Sequence, residues 1–157
     1  MANYGFKDNK CKVEVPTKAE FDMQTHVISG VITTPDNTRL GYYEIYLRKT
    51  GKTVYVKGEI GVDANVGEMS STINITEDIP NWAKPTVNGY LLRQDQIHGI
   101  TTATINSNRY LTPTTILQIE LKKLVNDFTL YVNYKTSSFS TTSSAQNFEF
   151  NDCYLAV

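Results

Sequence analysis

From Tyr42 to Ile60 the chain reads YYEIYLRKTGKTVYVKGEI, with apolar and polar residues alternating along most of it. Side chains of a strand point alternately to its two faces, so this pattern predicts two half-buried strands joined by a tight turn. A two-residue turn at Thr50-Gly51 pairs Lys49 with Lys52. Leu47 then faces Val54 and Ile45 faces Val56 on one side, while Arg48 meets Thr53, Tyr46 meets Tyr55 and Glu44 meets Lys57 on the other. A one-residue slip would scatter the apolar set over both faces, so the inward and outward sides of this hairpin are well specified.

The same periodicity marks further short strands. Val27 to Thr33 is ended by the turn cluster Thr34-Pro35-Asp36-Asn37, and Ser70 to Thr76 places Ile73 and Ile75 on one face after a Gly/Asn-bearing loop, Gly61 to Met69. Glu77 to Pro85 carries two prolines and the single tryptophan. Proline cannot donate to a ladder, so this stretch is expected to be a crossover or corner. Val87 to Arg93, Thr101 to Ile105 and Arg109 to Leu111 read as three strands, the last two joined by Asn106-Ser107-Asn108. Thr115 to Lys122 sets Leu117, Ile119 and Leu121 against polar partners, and Phe128 to Tyr134 repeats the pattern across a loop at Leu124 to Asp127. Thr136 to Ala145 is Ser/Thr-rich and predicts a surface loop. In the last strand, Phe148 and Phe150 share one face while Cys153, Leu155 and Val157 share one too, which calls for a bulge near Asn151-Asp152.

The N-terminal residues do not read as strand. Thr17-Lys18-Ala19-Glu20 has the form of a capping box after Pro16, predicting a short helix over Lys18 to Gln24 with Phe21 as its apolar contact. The expected organisation is therefore an arm or short helix over residues 1–25, followed by one head domain over 26–157. That arm is either a tag-like extension or a connector to an assembly. The fold expected is all-β: an antiparallel β-sandwich of jelly-roll type with roughly eight to ten short strands.

Composition supports this. Thr, Val and Ile contribute 44 of 157 residues against 7 Ala, with 10 Tyr and 6 Phe, a set suited to pleated, half-buried surfaces. A formal net charge of −1 argues against nucleic acid, whose phosphates call for a basic field. No apolar run approaches the length of a membrane span, so no membrane insertion is expected, and no apolar h-region marks a secretory leader. Cys11 and Cys153 would bridge if the chain ends meet; without a leader, reduced thiols are the simpler reading.

Chemistry-bearing motifs are missing from the sequence. His26 and His98 stand in no zinc pattern, Asp63 in GVDANVGE lacks the spacing of a calcium loop, and no nucleophile elbow or phosphate loop occurs. Glu44, Glu59 and Glu120 read as solubilising or salt-paired groups rather than glycosidase carboxylates. No catalytic residue, metal or cofactor is expected, and the protein is expected not to be an enzyme. What remains is binding. Trp82, Tyr90, Arg93, Asp95, Gln96 and His98 gather aromatic and planar polar groups suited to stacking on a sugar ring, unless Trp82 simply plugs one end of the sandwich. Tyr46 and Tyr55 form an outward aromatic pair, the kind of feature found at interfaces between copies of a chain.

One resemblance adds to this. The order Arg48-Lys49-Thr50-Gly51, then Val54 to Ile60, a glycine-bearing loop, a strand, Ile79-Pro80-Asn81-Trp82-Ala83-Lys84-Pro85 and Asn106-Ser107-Asn108 resembles the C-terminal head domains of bacteriophage tail fibres and receptor-binding proteins. The opening YGFKDNKCKVEVPTKAEFD is similar to the segment that precedes such heads in phages of Gram-positive hosts. The resemblance covers most of residues 4–110 and implies a homotrimer displayed on the virion. It also implies binding to a host cell-surface saccharide or protein, and contacts with other tail proteins through the N-terminal arm. The alternative it allows is a structural tail, baseplate or capsid-decoration protein whose surfaces serve assembly. No binding residue carries over from the family, and the chain is short, without a coiled-coil shaft.

Overall fold

The computed structural model describes the backbone of residues 3–8, 11–15, 23–105, 108–136 and 145–156, and the side chains of 23–97, 115–136 and 145–156. Ten strands occur among the described residues: β1 (Asn3–Asp8), β2 (Cys11–Val15), β3 (Gln24–Thr33), β4 (Arg39–Thr50), β5 (Thr53–Val62), β6 (Glu68–Asn74), β7 (Gly89–Ile105), β8 (Asn108–Lys123), β9 (Phe128–Thr136) and β10 (Gln146–Leu155). Two four-stranded antiparallel sheets, ordered β10-β5-β4-β3 and β6-β9-β8-β7, form the all-β sandwich expected from the alternation. Each sheet holds a three-strand meander and gains its fourth strand through a crossover, β5 to β6 in one direction and β9 to β10 in the other.

The core is where the period-two pattern says it should be. Ile45, Leu47, Val54 and Val56 from the first sheet and Leu117, Ile119, Leu121, Leu130 and Val132 from the second are all at most 2% exposed. Phe148, Phe150 and Tyr154 of β10 join the same cluster.

The hairpin register differs from the expected one by two positions. Thr50 pairs with Thr53, Lys49 with Val54, Arg48 with Tyr55, Leu47 with Val56, Tyr46 with Lys57 and Glu44 with Glu59. The turn is Gly51-Lys52, and Gly51 adopts φ +60°. A turn that wants a positive φ at its first central residue takes glycine there, whereas a turn at Thr50-Gly51 would force the β-branched threonine into that region. Moving the turn by one residue moves the pairing by two, so every side chain keeps its face and only its partner changes.

Three other expectations are corrected. Residues 3–8 and 11–15 are strands that pair with each other in a separate two-stranded sheet, Phe6 opposite Val13. Alternation in Cys11-Lys12-Val13-Glu14-Val15 is the signal for it. The helix expected over Lys18 to Gln24 falls mostly on residues outside those described, and Gln24 itself opens β3. The three strands expected between Val87 and Leu111 merge with Thr115–Lys122 into one long hairpin, paired from Gly89↔Lys123 to Ile105↔Asn108. Among the described residues, Pro113 lies beyond the last β8–β9 pair, Thr115↔Thr136, so its missing N–H interrupts none of the described β8–β9 pairing. β10 runs in continuous register with β5 and has no bulge; its inward residues are Phe148, Phe150 and Tyr154, while Cys153 and Leu155 face water. Cys153 is a free thiol, and the side chain of Cys11 lies outside the described residues.

Two features close the sandwich. Glu77–Pro85 is the expected crossover, with a short 3₁₀ turn at Asn81–Ala83. Ile79 and Ala83 are buried and Trp82 is half-buried against the core. The segment is tied down by Lys49 Nζ donating to the Trp82 carbonyl (3.0 Å), Tyr154 Oη to the Ala83 carbonyl (2.6 Å) and Lys123 Nζ to the Pro85 carbonyl (2.9 Å). His26 Nε2 donates to the Asp78 carbonyl at 2.9 Å. Along one side, the edge strands β7 and β10 meet. Gln94 and Gln96 reach from β7 and donate to the carbonyls of Asn151 (2.7 Å) and Glu149 (2.8 Å). Side-chain amides thus cover an edge that would otherwise be a template for a further strand. Among the described residues no helix is long and apolar enough to cross a membrane.

This packing is testable at three points. A methyl at Gly58 would overlap the buried Phe150 ring of β10, so Gly58→Ala should destabilise the fold by about 1–3 kcal/mol in chemical denaturation. Gln94→Ala should lower stability by about 1 kcal/mol and raise the tendency to aggregate, measured by denaturation and light scattering. Burial pushes the Tyr154 phenol above its ordinary value of 10.0, and burial raises Tyr43 and Tyr134 as well. Above about pH 10 the unfolded chain has lost protons that the folded chain still holds, so the tyrosine contribution to stability should be constant below that pH and fall above it. Tyr154→Phe should make that fall shallower.

Candidate functional site

The outer face of the first sheet follows directly from its register. Thr25, Arg48, Tyr55 and Cys153 form one cross-strand row from β3 to β10; Val27, Tyr46, Lys57 and Asn151 form the next. A third row is Ser29, Glu44, Glu59 and Glu149, and a fourth is Val31, Tyr42, Gly61 and Asn147. Tyr46 and Tyr55 therefore lie on one diagonal of a four-residue block and Arg48 and Lys57 on the other. The two tyrosines remain 45% and 44% exposed despite their size.

An open cleft of about 750 Å³ lies on this block, lined by Tyr46, Arg48, Tyr55, Lys57, Asn151 and Cys153, with Gln94 from the second sheet at its margin. The Arg48 guanidinium carbon stands 5.3 Å from the centre of the Tyr55 ring, a cation–π arrangement that holds the guanidinium at the cleft wall. Asp152 also borders the cleft, and its Oδ1 accepts the backbone N–H of Cys153 at 2.8 Å. A smaller depression of about 330 Å³ adjoins it, lined by Glu44, Glu59 and Glu149 and sharing Tyr46 and Lys57. Glu59 accepts a hydrogen bond from the Tyr42 phenol, and this bond raises the Tyr42 pKa. The face is thus divided into a cationic, aromatic half and an acidic half.

The residues expected to bind a ligand are distributed differently. Tyr90 and Arg93 meet on the outer face of the second sheet. The Arg93 guanidinium carbon lies 5.6 Å and Lys122 Nζ 4.9 Å from the Tyr90 ring centre, and Arg93 Nε contacts Glu120 Oε1 at 3.3 Å. Asp95 is exposed on β7 and pairs with Gln118. Trp82 belongs to the crossover packed on the core, and Gln96 to the seam with β10. The side chain of His98 lies outside the described residues. Among the described residues, no group of three or more His, Cys, Asp or Glu side chains could hold a metal ion.

Arg48 and Lys57 are cleft residues that the sequence pattern did not single out. Alternation already put them on the face of Tyr46 and Tyr55, but the expected register assigned Lys57 to Glu44 across the strand. In the observed register Lys57 faces Tyr46 instead, and Glu44 faces Glu59. Asn151 and Gln94 join from strands distant in sequence, so no local pattern announces them.

Neither a protein-family model nor a curated protein matches the sequence. Among solved structures, the chain is similar to the reovirus attachment protein sigma1, determined in complex with alpha-2,3-sialyllactose. The TM-score is 0.48 at 9% identity, over 95% of this chain and 73% of that one. It is also similar to the C-terminal head domain of the avian adenovirus EDSV fibre, with a TM-score of 0.39 at 10% identity over 85% of this chain and 93% of that one. These structural neighbours are viral attachment and fibre head domains.

Proposed function

We propose that this chain is a non-enzymatic receptor-binding head of a viral fibre, of the bacteriophage tail kind, which attaches to a host-surface saccharide. The observation that carries this reading is the cleft on the first sheet. Two tyrosines stay half-exposed beside a guanidinium, an ammonium and an amide, on rigid strands rather than on loops. Aromatic faces stack on the apolar face of a sugar ring, and planar polar groups with fixed donors read its hydroxyls. Groups of this kind bind; the reading includes no bond made or broken. The motif order around Arg48–Gly51 and Ile79–Pro85 supports the phage assignment, and with it a homotrimeric head on the virion that joins other tail proteins through its N-terminal residues.

A second reading, an assembly role in the tail or capsid without a receptor, is favoured by one feature. Val27 and Val31 on edge strand β3 and Leu155 on the opposite edge strand β10 are exposed on the same sheet face as the tyrosines, apolar positions suited to a protein partner.

Binding of the purified chain to a printed glycan array and to bacterial cell walls separates the two. The attachment reading expects saccharide binding that Tyr46→Ala or Tyr55→Ala weakens by about tenfold, with circular dichroism unchanged. Binding to no glycan and no wall, together with an oligomer mass that falls in Val27→Ser or Tyr46→Ala, would instead support assembly. Release of new reducing ends from a bound glycan would overturn the non-enzymatic part.

A further inference from the structure

Among the described residues the ion pairs are Arg39–Asp63 and Arg93–Glu120, so neither cation of the cleft, Arg48 or Lys57, is ion-paired; Asp152 borders the same cleft with its Oδ1 engaged by the Cys153 N–H. They sit on the diagonal that crosses the Tyr46–Tyr55 diagonal, one on β4 and one on β5. Adjacent strands lie about 4.8 Å apart and alternate residues of a strand about 7 Å apart, so the four side chains enclose an area the size of one sugar ring. A ring stacked on Tyr46, or on the face of Tyr55 that the Arg48 guanidinium does not cover, would bring any acidic substituent between a guanidinium and an ammonium. Charge-assisted hydrogen bonds from two cations are strong and directional.

The next row restricts what can follow. Glu44, Glu59 and Glu149 lie side by side across three strands, one alternate position beyond Lys57. A second negative charge placed about 7 Å further along the strands would meet this row and be repelled. A neutral sugar there would instead offer hydroxyls to the carboxylates, which accept hydrogen bonds only.

Resting on the saccharide-binding reading of this same cleft, we propose that its ligand is a sparsely charged acidic saccharide. One unit bears a carboxylate or phosphate held between Arg48 and Lys57, with its ring on the tyrosines. The neighbouring unit over Glu44, Glu59 and Glu149 is uncharged. The surface rejects a polyanion that carries charge on every unit.

The test uses the full chain and four oligosaccharide probes on one common backbone: neutral, capped with a single uronate, capped with a single phosphate, and sulfated on every unit. Each is titrated calorimetrically against wild type, Arg48→Gln, Lys57→Gln and Tyr55→Ala, with circular dichroism confirming the fold. The singly acidic probes should bind at least about tenfold more tightly than the neutral one, and Arg48→Gln or Lys57→Gln should remove that advantage while leaving residual neutral binding. The uronate and phosphate arms show which acid the cleft prefers. Glu44→Gln combined with Glu59→Gln should raise affinity for the fully sulfated probe. Equal binding of neutral and acidic probes, abolished by Tyr55→Ala but not by the charge variants, would overturn the acidic specificity and leave the saccharide site standing. Tightest binding of the fully sulfated probe by wild type would overturn the restriction set by the acidic row. Binding of none of the probes would sink both this inference and the saccharide reading it rests on.

Discussion

A strand in this protein can slide past its neighbour only in steps of two residues. An odd step would turn Ile45, Leu47, Val54 and Val56 out of the core, where each is at most 2% exposed. Exposing side chains of this size loses about 1.5–3 kcal/mol each, so four of them forfeit an amount comparable with the whole stability of a domain. Even steps leave burial untouched and are decided by weaker local effects. In the β4–β5 hairpin the decision falls to Gly51, whose positive φ sets the turn and thereby the partner of every outward side chain.

That division of labour shapes the rest of the molecule. Inner faces carry the stability, and the outer faces are free to carry chemistry. Seams and ends need separate devices. Gln94 and Gln96 cover the carbonyls of the β10 edge, and the Glu77–Pro85 crossover is held at one end by Lys49, Lys123 and Tyr154. These are inward or terminal polar groups that satisfy backbone carbonyls, which buried or edge backbone requires. The result is a rigid platform beneath the Tyr46–Lys57 block, and a site on strands is held more firmly than one on loops.

The candidate site shows how a two-residue change in pairing alters the chemistry of a face without altering fold. With Glu44 opposite Lys57, the face would carry a neutralised pair. With Glu44 opposite Glu59 and Tyr46 opposite Lys57, charge separates into a cationic patch and an acidic row. Tyr90 and Arg93, singled out for their chemistry, do come together, but with Lys122 and Glu120 as neighbours on the other sheet.

The amino-acid pattern by itself determined the all-β class, the inward set of β4, β5, β8 and β9, and the breaker role of Glu77–Pro85, because period-two burial and proline chemistry act over a few residues. It also identified Tyr46 and Tyr55 as outward and too apolar for an idle surface. It missed the β1–β2 pairing, the fusion of separate segments into the long β7–β8 hairpin, and the straight run of β10, where Phe148, Phe150 and Tyr154 point inward without a bulge. Those depend on which distant strand lies alongside, and a ladder continues through glycine or proline wherever its neighbour permits. Only the tertiary structure could bring Asn151 of β10 and Gln94 of β7 to the cleft, set Arg48 and Lys57 diagonally across it, and align Glu149 with Glu44 and Glu59. Alternation specifies a face; the register between strands specifies who meets on it.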